Sequence, residues 1–105
     1  MKKRRVAIDF DGVLIEWHGF DKPDIEFGKP KKDAVEAVKR LTDLGYECYI
    51  LTARHKRDWS AIKDWLKQYG FPEMVVGNRK MTAIAYIDDR GIRFTDWQDI
   101  YRYFG

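Results

Sequence analysis

At 105 residues, with 45% apolar and 15% aromatic content, the chain is sized for one domain around a single core and is too short for an independent second one. Its net charge of +3 admits anionic partners, nucleic acid included, without demanding them, because Lys2, Lys3, Arg4 and Arg5 supply much of the excess. Apolar runs fall well short of a membrane span, and the single cysteine, Cys48, excludes a disulfide within the chain.

The basic start Met1 to Arg5 leads directly into an apolar run instead of a signal-peptide core, so a cytoplasmic, non-membrane protein is expected. That run, Val6-Ala7-Ile8-Asp9-Phe10-Asp11-Gly12-Val13-Leu14, reads as a buried strand ending in two carboxylates and a glycine. Residues 13–29 are irregular, with Trp17, His18, Phe20, Ile25 and Phe27 among polar residues, and read as a flap or short hairpin. Trp17, His18 and Phe20 either border a substrate entrance or simply cover the sheet.

Pro30 then opens a first helix, with Ala34, Val35, Val38, Leu41 and Leu44 at helical spacing and Gly45 as its stop. A second strand, Tyr46 to Leu51, carries Cys48 as a reduced core thiol and ends at Thr52-Ala53-Arg54. The next helix begins near Asp58 or Ser60, places Trp59, Ile62, Leu66 and Tyr69 on one face, and stops at Gly70 and Pro72. Trp59 and Trp65 are assigned to packing, not to ligand contact. Met74 to Val76 forms a third strand, Ala83 to Ile87 a fourth ending in Asp88-Asp89-Arg90, and Ile92 to Phe94 a small fifth. A last helix presents Trp97, Ile100, Tyr101 and Phe104 inward as core.

Strands alternating with helices predict an α/β fold, a three-layer α/β/α Rossmann-like arrangement with about five mostly parallel strands and helices on both faces. In such a sheet functional groups collect at the carboxyl ends of the strands, where strand order switches. Strand one ends in Asp9 and Asp11, strand two in Thr52, the turn after strand three offers Lys80, and strand four ends in Asp88 and Asp89. Two adjacent carboxylates raise each other's pKa unless a cation intervenes, and a hard oxygen-seeking ion such as Mg2+ resolves the conflict. An EF-hand does not fit, because its further ligands and distal glutamate do not follow Asp11. Taken singly, each motif also reads as an acidic turn, a strand threonine or a solvated lysine; their order and placement together argue against those readings.

The ordered set D-x-D-G-V, L-T-A-R, Lys80 and I-D-D resembles the haloacid dehalogenase superfamily of Asp-nucleophile phosphohydrolases, across nearly the whole chain. The resemblance implies a Mg2+-dependent phosphatase that hydrolyses a phosphate monoester through an aspartyl-phosphate. Asp9 would be the nucleophile, and Asp11 the acid that protonates the leaving oxygen and then the base that activates water. Thr52 would hold a phosphoryl oxygen, with Ala53 and Arg54 beside the substrate. Lys80 would neutralise charge, a role that a one-residue shift would hand to Arg79. Asp9, Asp88 and the backbone carbonyl of Asp11 would bind Mg2+, supported by Asp89 directly or through water. Arg54, His55 and Arg90 border this site as substrate readers or as surface charges.

Two departures bear on substrate. Val13 stands where threonine is commoner, and the segments that carry a cap domain in relatives are too short to hold one. The single domain, residues 1–105, should therefore present an open site, which the resemblance associates with large substrates or with homo-oligomers in which a neighbour shields the site. The partner expected is a phosphorylated substrate: a nucleotide or polynucleotide end, with a small metabolite close behind. The rival is a catalytically weak phospholigand-binding or protein-interaction domain that keeps the fold. A two-component receiver domain is excluded because its phosphorylated aspartate belongs after strand three, where this chain has Gly77-Asn78.

Overall fold

The computed structural model describes residues 4–16 and 27–104. The flap expected over 13–29 lies mostly outside them, including Trp17, His18, Phe20 and Ile25. The described elements are β1 (Arg5–Asp9), α1 (Ala34–Asp43), β2 (Glu47–Leu51), a 3-10 turn (Lys56–Asp58), α2 (Trp59–Gln68), β3 (Val76–Gly77), β4 (Ala85–Ile87) and α3 (Trp97–Tyr103).

The chain is an α/β Rossmann-like domain whose four strands pair in parallel in the order β3-β2-β1-β4. Strands β1, β2 and β3 step in one direction, and the chain then crosses back to place β4 on the other side of β1. That reversal opens a crevice between the carboxyl ends of β1 and β4. Register aligns Val6 with Cys48 and Ile8 with Ile50, so these four share one face. Ala34 and Val38 from α1 join Ile62, Trp65 and Leu66 from α2 in the core on that face. Successive right-handed crossovers in one direction place both helices on the same side.

Trp65 anchors this layer. Its ring meets Phe10 edge-on at 5.3 Å between centroids and stacks with Phe71 at 5.4 Å, while its indole N–H donates to the Gly28 carbonyl at 2.7 Å. The Trp therefore buries a large apolar surface with its polar atom satisfied. On the opposite face Ala7 and Tyr49 are buried, and the Tyr49 hydroxyl is fixed by the backbone of Met81 in the β3–β4 crossover. Cys48 is a buried thiol whose pKa burial pushes up, as a packing residue requires.

Several boundaries differ from the sequence reading. Pro30 opens a turn and not the helix itself: the Lys31 N–H donates to Leu14 and the Ala34 N–H to Lys31, so α1 begins at Ala34. It stops at Gly45 as expected, where φ is +96°, but Leu44 points outward. The fifth strand over 92–94 does not form, since β4 is the edge of the sheet and those residues join no ladder. The last helix forms, capped by Asp96, which accepts from the Asp99 N–H at 2.9 Å, and braced by an Arg102–Asp99 pair at 2.8 Å. Its side chains are not core: Trp97, Tyr101 and Phe104 are 63%, 60% and 78% exposed. The contacts that brace this helix are local ones, and its apolar stripe meets no layer among the described residues. No helix among them is long and apolar enough to cross a membrane.

Candidate active site at the sheet switch point

Asp9 is the last residue of β1, and register carries it alongside the residue after β4, because Ile8 pairs with Ile87. Its half-buried carboxyl is pushed up to about 6, first by desolvation and then by repulsion from Asp89, Asp11 and Asp88, against one lowering hydrogen bond from the Phe10 backbone. Carboxylates from its own loop and from the end of β4 thus lie close enough to act on Asp9.

The loop after β1 is a tight turn in which the Gly12 N–H donates to Ile15 at 2.8 Å and the Leu14 N–H to Phe10 at 3.0 Å. Gly12 holds φ +86°, and its bare Cα lies directly against the Asp89 carboxylate, leaving no room for a side chain. Asp88 folds back on its own turn, its Oδ1 accepting the N–H groups of Arg90 and Gly91. The two acidic loops therefore meet backbone to carboxylate.

Thr52, at the end of β2, is a buried polar residue: its N–H donates to Gly77 at 2.8 Å and its Oγ1 accepts from the Arg54 N–H at 3.1 Å. Arg54 makes the strongest contact of the site. Its Nε and Nη2 donate to Asp11 Oδ2 and Oδ1 at 2.8 and 2.7 Å, a bidentate pair that raises the guanidinium pKa. Ala53 between them is exposed.

Two placements depart from the expected constellation. Lys80 is exposed, its ammonium 4.6 Å from the centroid of the Tyr86 ring, and among the described residues it forms no ion pair. Besides Arg54, a second cation reaches the β1 loop: the Lys31 ammonium donates to the Gly12 carbonyl at 3.0 Å. Nothing in Gly28-Lys29-Pro30-Lys31 marks that contact, which spans 19 residues and depends on how the chain re-enters beside the loop. His55 accepts the Arg57 N–H through Nδ1 at 3.1 Å and caps the 3-10 turn.

Among the described residues no three His, Cys, Asp or Glu side chains converge to hold a metal by themselves. The donors at hand are carboxylate oxygens of Asp9, Asp88 and Asp89 together with backbone carbonyls, a set suited to a hard cation that keeps part of its water shell.

Known proteins bear on this arrangement at three levels. A protein of Bacteroides thetaiotaomicron of known structure superposes with a TM-score of 0.70 at 23% identity, covering 98% of this chain and 90% of its own, which establishes the shared fold. A protein of Oceanobacillus iheyensis named as a candidate nucleotidase is 36% identical over 70 residues, an overlap of 54% of this chain. The present chain spans only 37% of that relative's length. A family model, PITM 1-3, LNS2 domain, matches residues 6–89, from the first buried residue of β1 to the second carboxylate after β4. The chain belongs to the LNS2 domain family.

Proposed function

We propose that the protein is a phosphatase of the haloacid dehalogenase type, hydrolysing a phosphate monoester with Mg2+ through an aspartyl-phosphate on Asp9. The observation that carries this reading is the Asp9 carboxyl at the sheet switch point, crowded by Asp11, Asp88 and Asp89 and raised to about 6. A cation offsets that repulsion, and Asp9, Asp88 and the Asp11 carbonyl would hold it; bound there it supplies charge neutralisation for an anionic substrate. Asp9 then attacks phosphorus as the leaving oxygen departs with a proton from Asp11. Asp11 in turn takes a proton from the water that cleaves the aspartyl-phosphate, so that one residue serves both steps. The Thr52 hydroxyl stands at the neighbouring strand end to hold a phosphoryl oxygen. The Oceanobacillus relative and the basic charge favour a nucleotide or a polynucleotide end as substrate.

The position of Lys80 over Tyr86 favours a second reading, a phospholigand-binding domain that keeps the fold without efficient turnover. One screen separates them. Phosphate release is measured with and without Mg2+ on nucleotides, 3'- and 5'-phosphorylated oligonucleotides, sugar phosphates and phosphopeptides, beside Asp9→Asn and Asp11→Asn. The phosphatase reading expects Mg2+-dependent turnover that falls at least about a thousandfold in Asp9→Asn. Equal inactivity of all three proteins with retained binding of a phosphorylated ligand selects the binding domain.

A further inference from the structure

Arg54 is held from every side. Its backbone N–H donates to Thr52 Oγ1 at 3.1 Å and its carbonyl accepts the Trp59 indole N–H at 3.2 Å. Its guanidinium lies 4.8 Å from the centroid of the Phe27 ring and 5.8 Å from that of Phe10, with the fork on both Asp11 oxygens. The Arg54 and Asp11 side chains are only 18% and 21% exposed. A two-point fork suits arginine and not lysine, so the geometry uses what is particular to this residue. A guanidinium so committed to protein groups is not arranged to wait for a substrate. Its effect falls on Asp11: donors on both oxygens fix the plane of the carboxylate and leave each oxygen a further acceptor site.

We propose that Arg54 is a positioning residue acting through Asp11, orienting it as the proton acceptor of the second displacement. This inference rests on the phosphatase reading above. In that displacement a water oxygen bonds to phosphorus and the phosphorus–oxygen bond to Asp9 breaks. Its electron pair returns to the Asp9 carboxylate, and the water proton passes to Asp11. Misplacing the acceptor slows this step and leaves the first attack, on an activated ester, largely intact.

The test follows p-nitrophenyl phosphate with Mg2+ in rapid-mixing kinetics for wild type, Asp9→Asn, Arg54→Ala and Arg54→Lys, with and without added guanidinium. For Arg54→Ala the inference expects a burst of p-nitrophenol close to one per enzyme. It also expects kcat and KM to fall together, by about a hundredfold, and guanidinium to recover part of the rate. Arg54→Lys keeps the charge and loses the fork, so it too shows a burst, and it decides the matter if Arg54→Ala does not fold. An unchanged kcat with raised KM overturns the inference in favour of substrate contact. A slower kcat without burst or rescue, or an Arg54→Lys variant with wild-type kinetics, overturns it as well. Wild type no faster than Asp9→Asn removes the phosphatase reading and this inference with it, an outcome distinct from any failure confined to the Arg54 variants.

Discussion

Strands β1 and β2 lie in the middle of the sheet, while β4 lies at its edge and α3 follows it in the chain. Residues 6–8 and 48–50 are buried, whereas all of β4 is exposed and α3 buries nothing. Both regions supply carboxylates to the same crevice, yet one is a packed scaffold and the other is a loop end on a thin support. A carboxylate on the first is held in place by the core. A carboxylate on the second depends on short-range devices such as the Asp88 turn and the contact of Asp89 with Gly12.

The largest test of that contrast is thermodynamic. Ile50→Ala removes a fully buried side chain and should cost about 2–5 kcal/mol, whereas Trp97→Ala should stay within about 0.5 kcal/mol despite the larger ring. Urea denaturation of both variants checks this, and a comparable loss for Trp97→Ala would show that α3 is packed after all.

A smaller effect should appear where the two regions touch. Gly12→Ala introduces a methyl group at φ +86° against the Asp89 carboxylate and should cost about 1–3 kcal/mol. In an Asp89→Ala background the cost should shrink to the backbone share; an undiminished cost would mean that the carboxylate contact contributes nothing.

The smallest effect is on pH dependence. With its folded pKa raised from 3.8 to about 6, Asp9 binds a proton in the folded state at pH values where the unfolded chain has released it. Stability should therefore fall as pH rises from about 4 through about 6, and remain lower above that. Thermal midpoints in a chelating buffer should show this slope in wild type and not in Asp9→Asn, which should be the more stable of the two at pH 7. A parallel slope in both proteins would place the titration elsewhere.

The same contrast sets what could be read from residues alone. β1, its acidic loop, the apolar faces of α1 and α2 and the order of the strand ends follow from local patterns, because periodicity and a glycine after two carboxylates act over a few residues. The fate of α3 did not follow: a stripe of Trp97, Tyr101 and Phe104 specifies an apolar face but not the surface that would cover it. The fork between Arg54 and Asp11 joins residues 43 apart, and the Lys31 contact joins residues 19 apart; neither has a local signature. Lys80 follows from the order of the motifs and not from a local pattern, and the β3–β4 crossover that carries it holds no helix, its ammonium lying over the Tyr86 ring.

The proposed phosphatase chemistry requires a covalent bond at Asp9, and trapping that bond tests it most directly. Wild type mixed with Mg2+ and a phosphate monoester, quenched in acid and treated with hydroxylamine, should yield a modified peptide that maps to Asp9 and is missing from Asp9→Asn. Steady phosphate release with no modified Asp9, or turnover that survives in Asp9→Asn, would contradict it.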